Sequence, residues 1–260
     1  MDKKCIFAIV FGFIAVILLL FAFVSPWYNI NMDASAEVED MSVEVHYNID
    51  AYLTEARTHS EVTMDEETET ETNIEPYEEG ENITRIFNTT RIFTVLGTFG
   101  SGLGIIGAVL VGTGKIDKRI GALMVFMGFI FAIITPLYLM SSLPPAIQED
   151  IQEENEIDFG SETLDKIGNE FFGSDSREET MFGTTLRYDV KWGGSTAWFL
   201  ALGSSILNLL ALALLLLRRE KRYRPSLTPH LEDVDQITRS KEEQYEYTSS
   251  GEEIGHRREF

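Results

Sequence analysis

The sequence predicts a membrane all-α four-helix transmembrane bundle with a small extracellular β-sheet domain, α+β in class, built from both outer loops. Three observations predict it: four long blocks without an ionisable side chain, connections split into basic and very acidic ones, and period-two alternation in the acidic ones. The 260 residues hold 42 acidic against 21 basic side chains, and a mean hydropathy of -0.03 hides the segregation into apolar and acidic stretches.

Residues 1–4 form the N-terminus and the first span is 5–24, CIFAIVFGFIAVILLLFAFV. It is uncharged and matches the roughly 20 apolar residues that cross about 30 Å of hydrocarbon. MDKK makes a basic start, but the block exceeds the roughly 7–15 residues of a signal-peptide core and Pro26 spoils the cleavage context, so an uncleaved anchor is expected. The second span is 92–114, the third 120–140 and the fourth 195–217, and none contains Asp, Glu, Lys, Arg or His. Blocks of this kind leave no polar face for water.

Orientation follows from basic residues beside the spans, which accumulate on the cytoplasmic side. Lys3 and Lys4 precede the first span, Lys115, Lys118 and Arg119 fill the turn 115–119, and Arg218, Arg219, Lys221, Arg222 and Arg224 follow the fourth. Both termini are therefore expected in the cytoplasm. Residues 28–91 carry 17 acidic and 3 basic side chains, and 141–194 carry 13 and 4, so the loops 25–91 and 141–194 are expected outside. Trp27, Trp192, Trp198, Tyr28 and Tyr138 then fall at the outer boundary, where amphipathic rings favour the headgroup layer. The basic cluster after the fourth span is expected first as this topology signal; anionic inner-leaflet lipid would attract it at roughly 1 kcal/mol per cation, and specific lipid recognition is the less favoured reading. The tail 218–260 is polar and expected to be disordered.

In the first loop, Val43, Val45, Tyr47, Ile49, Ala51 and Leu53 alternate with polar neighbours, which reads as a half-buried strand. A weaker alternation leaves the first span at Tyr28, Ile30, Met32 and Ala34, and a third candidate holds Leu186, Tyr188, Val190 and Trp192. Three strands sharing an apolar face are stable where a lone hairpin is marginal. Two short helices are expected in the second loop. One opens at Pro144 and Pro145; the other is capped by Ser161, carries Leu164, Ile167 and Phe171 on one stripe and ends at Gly173. The run Glu61–Glu81 reads as a mobile, solvated acidic loop; calcium is the sharper reading, but EF-hand spacing is absent. Asn82-Ile83-Thr84 and Asn88-Thr89-Thr90 are glycosylation acceptor sequences, with Asn82 the better placed because Asn88 lies close to the second span.

Uncharged helices associate through small residues and neutral hydrogen bonds. Gly100, Gly104, Ala108 and Gly112 form a ridge on the second span, Gly128 and Ala132 repeat it on the third, and Ala197, Ala201 and Ser205 on the fourth. Packing inside one bundle is expected over a homodimer seam, with Asn208 as polar glue. Cys5, the only cysteine, excludes an intrachain disulfide; acylation at the membrane edge is weighed against a small buried residue. No catalytic constellation, phosphate loop, metal-ligand cluster, cofactor fingerprint or nucleic-acid feature occurs, and His46, His59, His230 and His256 are scattered.

Four spans, cytoplasmic termini, a longer strand-bearing first loop, a shorter second loop with a strand before the fourth span, and Ser25-Pro26-Trp27-Tyr28 together resemble the claudin-like four-span proteins. The Gly-Leu-Trp element and paired cysteines of claudins are missing, and the absence of loop cysteines excludes a normal tetraspanin. The resemblance implies a structural or adhesive role. The expectation is a non-enzymatic protein, partnered by the lipid bilayer and by another protein or its own copies. The alternative is a channel or transporter subunit whose acidic exterior attracts cations.

Overall fold

The structure, a computed structural model, describes residues 2–38, 41–64, 67–77, 81–154, 161–181 and 184–218. The tail beyond Arg218, with Arg219, Lys221, Arg222 and Arg224 of the basic cluster, lies outside the described residues.

Four helices are long and apolar enough to cross a membrane. α1 (Lys3–Val24) has 22 residues and α5 (Thr196–Leu216) has 21. At 1.5 Å per residue each is about 32 Å long, close to one bilayer core. α2 (Asn82–Gly112) and α3 (Lys118–Glu154) have 31 and 37 residues, so both overrun that thickness by about 15–25 Å. The overruns are Asn82–Arg91 and residues 141–154, which a search for uncharged blocks assigns to loops. Pro144 and Pro145 therefore lie inside α3 and do not open a new helix. Each interior proline costs about 3 kcal/mol. Burial of Leu143, Ala146 and Ile147 against the sheet offsets this, at about 1.5–3 kcal/mol for each large side chain. α4 (Ser161–Asn169) is a separate amphipathic helix that stops four residues before Gly173.

The sheet is antiparallel with six strands in the order β4-β3-β2-β1-β6-β5. β1 (Tyr28–Val38), β2 (Met41–Ala51), β3 (Glu55–Met64) and β4 (Glu67–Pro76) precede α2; β5 (Gly173–Met181) and β6 (Thr184–Gly194) precede α5. Of the acidic run 61–81 expected as a mobile loop, residues 61–64 end β3 and 67–76 are β4, while 65–66 and 78–80 lie outside the described residues. Glu67, Glu69 and Glu71 alternate with Thr68, Thr70 and Thr72, and β-branched threonine suits an extended pleat, so a strand forms without an apolar face.

β1 leaves α1 directly and pairs with β6, which runs directly into α5. Ser195 N–H donates to Trp27 O at 3.0 Å and Ala197 N–H to Pro26 O at 2.9 Å, so the two crossings from helix to strand are tied together. Around them the aromatic residues expected at a headgroup layer are interior: Trp27, Tyr28, Trp192 and Trp198 are 0, 2, 5 and 8% exposed. Trp192 Nε1 donates to Glu170 O and Trp198 Nε1 to Pro136 O, while Phe171 packs between Tyr28 and Trp198 at 5.3 and 5.7 Å. Tyr138 is half-buried against Phe93. Tyr77 stacks on Phe87 of α2 at 5.1 Å and donates to Tyr52 O, fixing the end of β4 to the α2 overrun.

Trp192→Ala should lower the stability of the detergent-solubilised protein by about 3–5 kcal/mol, the usual cost of emptying a tryptophan site. Thermal unfolding followed by near-UV circular dichroism would check this, with exposed Phe199→Ala as the near-neutral comparison.

Candidate interaction site

The bundle interior is built by backbone approach. A Cβ added at Gly100 would lie 2.8 Å from Gly128 Cα, at Gly97 3.3 Å from Ala132 Cα, and at Gly104 3.2 Å from Val125 Cα. The α2–α3 seam thus runs Gly97, Gly100, Gly104, Gly107 against Gly121, Val125, Gly128 and Ala132. Ala108 belongs to a buried cluster with Cys5, Ala8, Val125, Ala211 and Leu215, and Gly112 is half-buried near the helix end. Strict spacing of four drifts by about 40° per step around a helix, whereas alternating steps of three and four keep to one side. That 3-4-3 pattern was the signal for Gly97 and Gly107. On α5, Ala197 and Ala201 are fully buried and Ser205, 1% exposed, bonds back to Ala201 O. Asn208 donates its amide to Ser101 Oγ at 2.9 Å, both buried. Thr90, Thr94 and Thr135 likewise bond to carbonyls of their own helices.

At the end of the bundle away from the sheet, cations meet the C-terminal carbonyls of α2 and α5. Lys4 Nζ donates to Leu217 O at 2.8 Å, and the Arg218 guanidinium donates to Val111 O. Val111 O also accepts from Gly114 N–H at 3.1 Å, and the helix dipole favours positive charge at both ends. Cys5 has no exposed surface, so its thiol is a packing group in that end of the bundle.

At the sheet end, polar groups clip elements together. Asp150 on α3 accepts from the N–H groups of Asn82 and Ile83 at 3.2 and 2.8 Å, capping α2 in place of the Glu81 side chain. The Asn82 amide also donates to Asp150 and Glu149. Of the two acceptor asparagines, Asn88 is the exposed one and Asn82 is engaged. Asp175 of β5, 8% exposed, accepts from Lys166 Nζ at 2.6 Å, Thr163 Oγ1 at 2.6 Å and Arg177 Nε at 3.0 Å. The Lys166 and Thr163 bonds hold this carboxyl well below the usual carboxylate range. The clip therefore contributes fully above the ordinary carboxyl pKa and is lost only as the pH falls through the lower folded value.

The sheet has two unlike faces. One carries a polar row, Ser176, Asp189, Asp33, His46 and Glu61, in register across five strands. His46 Nδ1 sits 2.7 Å from Asp33 Oδ1, and that bond, with Glu61 and Glu44 nearby, raises the imidazole pKa. The other face carries the apolar side chains and, on β4, Glu67, Glu69, Glu71 and Glu75. Every residue of β4 is exposed. Among the described residues no three His, Cys, Asp or Glu side chains converge as a metal site. The arrangement offers surfaces and a charged rim for contact.

The chain matches no protein-family model, and no curated protein sequence matches it.

Gly100→Leu should abolish the folded protein, because no flexible side chain lies between it and the Gly128 backbone. Gly102→Leu, with nothing within 4 Å, should leave expression and gel-filtration behaviour unchanged. The His46 ring protons should titrate above the ordinary 6.5, and Asp33→Asn should bring the midpoint down. Since the folded value is raised, the pair contributes at low pH and is lost as pH rises through that value; an NMR titration of both proteins checks the sign.

Proposed function

We propose that the chain crosses a membrane four times, with both termini in the cytoplasm and the sheet outside, and serves a non-enzymatic structural or adhesive role through contacts of the sheet with other proteins or neighbouring copies. The observation that carries the membrane reading is an inversion of side-chain size. α1 turns Cys5, Ala8, Gly12 and Ala15 inward, while outward-facing Phe13, Phe21, Phe99 and Leu123 are 59, 59, 69 and 60% exposed. In water so large an apolar surface would drive association. In hydrocarbon it matches its solvent, and small residues are what bring helices together. Lys3, Lys4, Lys115 and Arg119 lie at the end away from the sheet, which supports an inward assignment of that end.

The surface role rests on where polar groups are free to act. Those of the bundle are largely engaged within it, whereas the sheet presents an exposed acidic edge, a polar face and the uncovered part of its apolar face. Four spans beneath a sheet drawn from both loops is also the arrangement in which the sequence resembles claudin-like proteins, and adhesion is what that resemblance implies.

With Cys5 buried, engineered single cysteines report topology. In intact cells a membrane-impermeant maleimide should label Thr68→Cys at once and Lys115→Cys only after permeabilisation; the reverse pattern overturns the orientation. Purified in mild detergent at native expression level, the chain should elute as an oligomer or with a stoichiometric protein partner. A partner-free monomer would overturn the surface role.

A further inference from the structure

Among the described residues, the apolar face of the sheet is only half covered. Near the bundle, Ile30 and Trp192 are 7 and 5% exposed, in one cluster with Leu143, Ile147 and Ile167. Farther out, Tyr188, Ala34, Val45, Val62 and Glu69 lie side by side across five strands. The next row ends in Val43, Met64 and Glu67. Val43, Val45, Val62 and Met64 belong to neither buried cluster, and Met64 is 50% exposed. The free part measures about 19 Å across four strands and about 14 Å along them, from strand and residue spacings. Along its β4 side, Glu67, Glu69 and Glu71 face the same way at intervals of about 7 Å.

Two physical features narrow the occupant. The free area, roughly 250–300 Å2, is well below the about 800 Å2 that each partner buries in a standard interface, so it suits a short segment better than a second folded copy. A second copy would also bring the same carboxylates and a chain of net charge -21. We propose that this face docks a short segment of another protein in which apolar residues lie on Val45, Val62 and Met64 and Lys or Arg side chains meet Glu67, Glu69 and Glu71. The valines supply non-directional burial. The carboxylates, on one side only, set the direction in which the segment lies and exclude acidic sequences. The inference rests on the proposed surface role and specifies its contact.

The test uses the full chain in phosphatidylcholine nanodiscs and two fluorescent decapeptides, one alternating Lys and Val, the other Glu and Val, read by anisotropy against empty nanodiscs. The basic peptide should bind saturably and the acidic one should not. Glu67→Gln/Glu69→Gln/Glu71→Gln and Val45→Ser/Val62→Ser should each weaken binding by about tenfold or more. Glu44→Gln/Glu61→Gln, on the opposite face, should leave it unchanged. Equal loss in the Glu44/Glu61 variant, indifference to the valine variant, or no saturable binding overturns the proposal. If the valine variant misfolds, the β4 variant, whose sites are wholly exposed, decides. Failure here with an oligomer or complex still present in mild detergent removes this docking face and leaves the surface role standing.

Discussion

The pairing of β1 with β6 is the constraint on which the rest of the structure depends. Each strand is a direct continuation of a helix, so Tyr28 opposite Gly194 fixes how α1 lies beside α5 as well as the register of the sheet. A slip of β6 by one residue against β1 would turn Val190 and Trp192 to the wet face and bring Asp189 and Lys191 to the buried one. The bonds from Ser195 and Ala197 back to Trp27 and Pro26 close the crossing at the point where such a slip would begin. β2, β3 and β4 then add outward on one side and β5 on the other.

A sheet mounted this way overhangs its two short helices and needs support, which the overruns of α2 and α3 provide. Phe87, Ile86, Leu143 and Ile147 share one buried cluster with Ile30, Val190 and Trp192 of the sheet, and Phe87 stacks on Tyr77 beyond the end of β4. Asp150 locks the two overruns to each other at the N-terminus of α2, where the dipole favours a carboxylate. α4 is held by burial of Leu164 and Ile167 and by the Asp175 clip. In this chain without a disulfide, helix overruns and a buried carboxylate hold the elements that cysteines often staple elsewhere.

The parts legible in the sequence were those with one dominant period or none. Uncharged blocks gave the four long helices, and apolar alternation gave β1, β2 and β6. β4 was hidden because an acidic composition masks its Glu-Thr alternation, and β5 because Gly173–Met181 carries almost no apolar residue. The overruns were hidden because Asn82–Arg91 and residues 141–154 mix polar and apolar positions, and two prolines invite a boundary. The tryptophans misled for another reason. A ring at the end of a membrane-length helix suits a headgroup layer and a protein interior equally well, and only tertiary structure decides between them. Of the packing residues, Gly100, Gly104, Gly128 and Ala132 line the α2–α3 seam, while Ala108 sits in a cluster drawn from all four long helices.

The division of labour between the faces follows from the same geometry. Helix overruns can cover a sheet only as far as they reach, and α3 is described to Glu154. Beyond the Ile30–Trp192 and Met32–Val190 rows, the apolar face continues through two further rows with no comparable cover among the described residues. Were those rows simply a rim, Thr and Ser would serve as well as Val45, Val62 and Met64 and would avoid exposing apolar surface. The carboxylates of β4 add a second constraint. At intervals of about 7 Å they repel one another weakly in water, and they discourage a second acidic edge from pairing with β4. An edge closed to its own kind, beside an apolar face left partly open, favours an unlike partner over self-stacking.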